Sequence, residues 1–291
     1  TSTISNSYST GTVTGTNISN RGDYVGGLAG QVIDNSTISN CYSTGSVTNI
    51  DRYVGGLAGE VIDNSTVSNC YSTGSVTGTD NYVGGLAGLV RDTSTISNSY
   101  STGTVTGNNY VGGLAGYLYN STVSVINCYS TGSVTGNGSD VGGLVGRLRY
   151  DPTVSNSFWD TQTSGQGSSA ADGTGKTTAE MKTASTFYDA DWDFEEDGNG
   201  NDDGTNGGAS GNGTDNYWDM DQDGNNYPVL SWQDGATVLV TDLTDPSAPT
   251  ALIATPGNTQ VVLTWAANSE GDLASYKVYG GTSASPTTLL S

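Results

Sequence analysis

The chain has 291 residues with 29 acidic and 8 basic side chains, no histidine, and a formal net charge of −21. That charge repels nucleic-acid phosphates and anionic membranes, so neither is an expected partner, and the missing histidine removes Ser-His and Cys-His nucleophile systems and the H-E-x-x-H zinc motif together. No apolar run approaches the length of a membrane span, and no signal peptide opens the sequence, which starts inside a repeat as a mature or excised fragment would.

The repeat dominates the first 159 residues. Tyr24-Val25-Gly26-Gly27-Leu28-Ala29-Gly30 returns at Tyr53, Tyr82 and Tyr110 and, altered, at Asp140, with the glycine pair stepping by 29, 29, 28 and 30 residues. A second phrase, Ile38-Ser39-Asn40-Cys41-Tyr42 and its relatives, keeps the same beat from Ile4 to Phe158. Units of this length bury their apolar face only against their neighbours, so the phrases predict an elongated stack. Ser, Thr, Gly, Asn, Val and Tyr fill each unit, which argues against helix. Short alternating runs such as Gly45-Ser46-Val47-Thr48 predict coils of three short strands. The expected fold is all-β: a parallel β-solenoid of about five to six coils over 1–159, right-handed by the usual chirality of parallel crossovers.

Stacking at about 4.8 Å turns each repeat position into a ladder. Val47, Val76, Val105 and Val134 are expected to form one apolar column and Leu28, Leu57, Leu86, Leu114 and Leu144 another. Val25 and Leu28 are three apart, so strict alternation cannot send both inward; the Gly-Gly between them is read as a corner where a Cβ would clash. Cys41, Cys70 and Cys128 share a column with Ser7, Ser99 and Ser157. A buried Cys/Ser packing ladder is the favoured reading over a Cys41–Cys70 disulfide or a metal site. Asp34, Asp63 and Asp92, beside Asn35 and Asn64, read as a solvated turn rather than a catalytic groove.

Residues 160–244 lose the beat and become rich in Gly, Asp and Asn, with a helical stretch at Thr178–Lys182. This segment reads as a cap, with Trp192, Phe194, Trp218 and Trp232 plugging the open end of the stack. Two acidic runs are candidate calcium sites. Asp219, Asp221 and Asp223 follow the D-x-D-x-D-G spacing that turns alternate carboxylates toward one hard cation, although Leu230 stands where a calcium loop carries its bidentate Glu; Asp197, Asn199, Asn201 and Asp203 are the second set.

From about 245 to 291, prolines give way to Val261-Val262-Leu263-Thr264-Trp265 and Tyr276-Lys277-Val278-Tyr279. This order resembles the first half of a fibronectin type III domain, which implies a partial β-sandwich whose remaining strands another copy could donate. The Gly27-Leu28-Ala29-Gly30 core and its repeats resemble the GLUG-motif family. Phe158-Trp159-Asp160, Gly173-Thr174-Gly175-Lys176-Thr177-Thr178 and Asn226-Tyr227-Pro228-Val229-Leu230 resemble the segment that closes such arrays in large bacterial surface proteins. The resemblance implies a secreted or surface-anchored rod of adhesin type, and it supplies no catalytic residue.

The expected function is therefore structural and non-enzymatic, a stalk, adhesin segment or fibre subunit, with calcium as the one candidate cofactor. The alternative is ligand binding, to glycan or ice, through an outward hydroxyl ladder at Thr14, Thr48, Thr77, Thr106 and Thr135. Asn35, Asn64 and Asn120 head N-x-S/T acceptor triplets for glycosylation.

Overall fold

A computed structural model describes residues 1–16, 24–138, 140–170, 173–193, 217–220 and 226–233, together with the backbone of 250–256, 261–266, 279–280 and 288–289; the side chain of Asp219 is outside this set. The chain divides into two units, Thr1–Val238 and Leu239–Ser291.

The first unit is a parallel β-solenoid of about five coils, built from four parallel sheets. One stacks Val25–Gly26, Val54–Gly55, Val83–Gly84, Val111–Gly112 and Val141–Gly142. The next stacks Ala29–Val32, Ala58–Val61, Ala87–Arg91, Ala115–Tyr119 and Val145–Arg149. A third stacks Val13–Gly15, Val47–Asn49, Val76–Gly78, Val105–Gly107 and Val134–Gly136. The largest runs from Thr3–Ser5 through Thr37–Ser39, Thr66–Ser68, Thr95–Ser101 and Ser124–Ser130 to Thr153–Ser155 and Phe158–Asp160.

Pairing is in register, so each residue meets its own repeat equivalent: Val47 with Val76, Val76 with Val105, Val105 with Val134. The coil is more finely divided than three strands. Coils such as 54–78 carry five short strands because two bends interrupt them: the Gly-Gly corner, and an asparagine in the left-handed region at Asn40 (φ 52°) and Asn69 (φ 53°). Asparagine tolerates that region better than other residues with a Cβ. The acidic column is a third bend, with Asp34, Asp63 and Asp92 at φ 58°, 57° and 53°.

The Gly-Gly corner separates two apolar cores. Val54, before it, packs with Val47, Val76, Val83, Val105 and Val111; Leu57, after it, packs with Val61, Leu86, Leu114, Leu118 and the three cysteines. Both kinds of residue are fully buried, and each buried Val or Leu contributes about 1.5–3 kcal/mol. A Cβ on Gly56 would run into the Gly85 carbonyl and the Ser72 hydroxyl, which is why the corner takes glycine.

The cap corrects the expected placement of its tryptophans. The last coil is closed by residues 165–170: Gly143 N–H donates to the Ser168 carbonyl at 3.0 Å, Ala170 N–H to the Val145 carbonyl at 3.0 Å, and Trp159 Nε1 to the Gln166 carbonyl at 2.9 Å. Trp192, Trp218 and Trp232 instead lie along the side of the stack. Large aromatic side chains gain more by covering a long apolar ladder than by filling a narrow end. Phe194 lies outside the described residues. The expected helix is a short 3-10 turn, Glu180–Lys182, flanked by helices Thr161–Ser164 and Ser185–Tyr188.

In the second unit the described strands form two antiparallel pairs, Thr250–Pro256 with Val261–Ala266 and Tyr279–Gly280 with Thr288–Leu289.

Candidate functional site

In-register stacking of a phrase that ends in tyrosine builds an aromatic ladder. Tyr8, Tyr42, Tyr71, Tyr100 and Tyr129 stack with centroids 5.1, 4.9, 5.1 and 4.9 Å apart and nearly parallel planes. Phe158 continues the column in register with Tyr129.

The cap lies on this ladder. Met181, Phe187, Trp192, Trp218, Met220 and Leu230 join Tyr100, Tyr129 and Phe158 in one buried cluster. Tyr129 OH donates to the Pro228 carbonyl at 2.5 Å, Tyr100 OH to Gln233 Oε1 at 3.0 Å, and Trp232 Nε1 to the Asn69 carbonyl at 3.2 Å. Trp232 stacks on Tyr71 and Tyr42, while Tyr8, one rung further, is 63% exposed. Burial raises the phenol pKa of Tyr100 and Tyr129 far above the usual range.

Asp160 fastens the start of this strap. It is fully buried, caps the helix Thr161–Ser164 by accepting from Gln162 and Thr163 N–H, and accepts from Tyr227 OH at 2.7 Å. Burial alone raises its pKa, but hydrogen bonds from Tyr227, Thr178, Thr163 and Gln162 outweigh burial and leave it below the ordinary value.

A second ladder stands beside the Ala29–Val32 sheet. Tyr24, Tyr53 and Tyr82 stack at 4.7 and 4.9 Å, and Tyr110 follows Tyr82 at 5.1 Å with its ring tilted by 39°. Tyr53, Tyr82 and Tyr110 have φ of 60°, 65° and 53°, left-handed backbone that is uncommon in a bulky residue and repeats at the same position of each coil. Near this ladder the buried Glu60 accepts from Arg91 Nε at 2.9 Å and from Gln31 Nε2 at 2.7 Å. Toward the last coil, Tyr117 packs at 5.5 Å from both Tyr82 and Tyr110, and Arg147 lies 5.2 Å over the Tyr110 ring while pairing with Asp140 at 2.9 Å. Sequence reasoning missed both ladders, although the signal was present: tyrosine recurs in both phrases, and parallel in-register pairing sets like on like.

Thr14, Thr48, Thr77, Thr106 and Thr135 are in register, alternating with the partly buried Val13 and the buried Val47, Val76, Val105 and Val134. Cys41, Cys70 and Cys128 are free and fully buried. Cys70 Sγ donates to the Ser68 carbonyl at 3.0 Å, as Ser99 Oγ does to the Ser97 carbonyl at 2.7 Å. The column therefore takes a small side chain able to satisfy the carbonyl two residues back. Asp197, Asn199, Asn201, Asp203, Asp221 and Asp223 and the Asp219 side chain lie outside the described residues. Among the described residues no group of three His, Cys, Asp or Glu is placed to hold a metal ion, and no helix is long and apolar enough to cross a membrane.

Compared with known proteins, residues 22–48, 51–77, 79–106 and 107–135 match the family described as the GLUG motif, so four such repeats are present. A Gly-rich membrane protein of Evansella cellulosilytica is 52% identical over 60 residues, a stretch that covers 20% of this chain and 7% of that protein. The chain thus matches only a small part of this relative's length. No solved structure matches.

Proposed function

We propose, from four GLUG repeats wound into one in-register solenoid, that the chain is a non-enzymatic structural segment of a bacterial surface or secreted protein, working as a stalk or adhesin spacer. The observation that carries this reading is the self-pairing of every coil. Strand after strand bonds to its own repeat equivalent, and hydroxyls and acidic turns face outward. Such an array transmits force along its backbone ladders, and its negative charge limits nonspecific association. The membrane description of the Evansella cellulosilytica relative is consistent with a surface location.

In the same reading the second unit is fibronectin-like and joins copies by strand addition, its described strands forming only two-stranded sheets. Calcium held by Asp219, Asp221 and Asp223, and by the run from Asp197 to Asp203, stiffens the segment after the solenoid. Electron microscopy of the purified chain in millimolar calcium tests the reading. Regular fibres establish a self-assembling subunit, separate short particles a stalk segment, and enzymatic turnover of any added polysaccharide overturns it. A chelator-sensitive melting temperature tests calcium.

A second reading, water or glycan binding by the hydroxyl face, rests on the five-rung threonine column. Thermal hysteresis would support its ice-binding form.

A further inference from the structure

Internal repetition shows which strand face of the solenoid varies most from coil to coil. The inward column of the Ala29–Val32 sheet holds Val32, Val61, Val90, Leu118 and Leu148, and the middle column of the Val13–Gly15 sheet is threonine in all five coils. The positions flanking that inward column differ among the coils. In register they read Gln31, Glu60, Leu89, Tyr117 and Arg147. One step past the column they read Ile33, Ile62, Arg91, Tyr119 and Arg149. Among the strand faces this one varies most, and while Glu60, Leu89 and Tyr117 are buried, its last coil ends in the exposed Arg149 and Tyr150.

The divergence ends in a cluster of the side chains most often found at recognition sites, tyrosine and arginine. Arg149 stands in register with Tyr119, and its guanidinium lies 4.7 Å over the Tyr150 ring. Tyr150, 54% exposed, meets Tyr119 edge to face at 5.0 Å, and Tyr119 meets Tyr117 at 5.9 Å. Arg91 and Arg147 are neutralised, by Glu60 and Asp92 and by Asp140. Arg149 is exposed and makes no ion pair among the described residues. In a chain of net charge −21, this is a guanidinium held over the Tyr150 ring and beside the Tyr117 hydroxyl, with no carboxylate paired to it among the described residues.

We propose that the last two coils carry a recognition site for glycans that end in a carboxylated sugar. Arg149 takes the carboxylate in a bidentate pair, Tyr150 and Tyr119 offer ring surface to the sugar's C–H face, and the Arg147–Asp140 pair borders the hydroxyls. Arg149 is a single guanidinium, and its neighbour Arg147 is already paired with Asp140, so the cluster matches one terminal carboxylate rather than a polyanion.

Binding of the full chain to immobilised sialyllactose, with lactose and polyglutamate as comparisons, tests the site. The expected result is saturable binding to sialyllactose, at least tenfold weaker binding to lactose, and little to polyglutamate. Arg149→Ala and Tyr150→Ala should each weaken sialyllactose binding about tenfold, Arg149→Lys less, and Arg52→Ala not at all. Both altered residues are exposed, and an unchanged melting temperature verifies that the variants fold. No sialyllactose binding, equal binding to lactose or polyglutamate, or undiminished binding by Arg149→Ala would each overturn the proposal.

Discussion

Trp232 lies over Tyr71 with ring centroids 5.7 Å apart and an interplanar angle of 30°, and its Nε1 reaches the Asn69 carbonyl on the same coil. Repeat arrays are ordinarily held by nearest-neighbour contacts. Here a strap from beyond the last coil grips rungs from Phe158 back to Tyr42.

Removing that grip should split one transition into two. Trp232→Ala is expected to cost about 1–3 kcal/mol, below the range for a fully buried Trp because this indole is only partly covered. The early coils should then melt ahead of the cap. Far-ultraviolet circular dichroism and tryptophan fluorescence, followed together during thermal unfolding, should stop coinciding in the variant; coincident curves at an unchanged midpoint would show that the strap carries no coupling.

The Gly-Gly corner makes a sharper demand. Gly56→Val forces a side chain against the Gly85 carbonyl and Ser72, and because backbone cannot yield as a side chain can, the expected loss is about 3 kcal/mol or more. Thr77→Val, on the outer face, should stay within about 0.5 kcal/mol. Urea midpoints of the two variants decide it.

Alkaline solution should unfold the protein early. Cys128 is pushed up to about 12 by burial, Tyr227 to about 12 by burial and then by Asp160, and Tyr129 is raised by burial and by Tyr100 and Tyr227. The ordinary values are 9.0 and 10.0, so above these the unfolded chain releases protons that the native state retains. The stability from these groups is complete below about pH 9 and falls as pH rises toward 12. Phenolate absorbance should rise in step with loss of circular dichroism rather than before it.

Acid acts through Asp160 with the opposite sign. Its folded pKa lies below the ordinary 3.8, so its contribution is present above that value and is lost as pH falls through the folded one. Asp160→Ala removes the helix cap and the Tyr227 acceptor and should cost about 1–3 kcal/mol. Tryptophan fluorescence should report the strap loosening first. Asp160→Asn keeps a capping oxygen and should recover part of the loss.

Buried thiols supply a fifth check. Ellman's reagent should leave Cys70 and Cys128 unmodified in the native protein and reach all three cysteines in denaturant, since each is fully buried. Cys70→Ser should cost little because Ser99 fills the same role one coil on; rapid native labelling at either position would contradict the packing.

The sequence by itself determined the solenoid, its register, the two apolar columns and the turns at Asp34, Asp63 and Asp92. A fixed period makes each of these a local property copied from coil to coil, so one repeat read correctly gives all of them. Only the tertiary structure decided that the Gly-Gly corner divides two cores, that residues 165–170 close the end while the tryptophans lie along its side, and that Tyr119, Arg149 and Tyr150 meet. The closure and the strap depend on where segments without the period come to rest and on which apolar surface offers the largest area to cover, while the corner and the Tyr–Arg cluster depend on how each coil bends. Spacing along the chain carries no record of that choice, because it is made by burial between residues far apart in sequence.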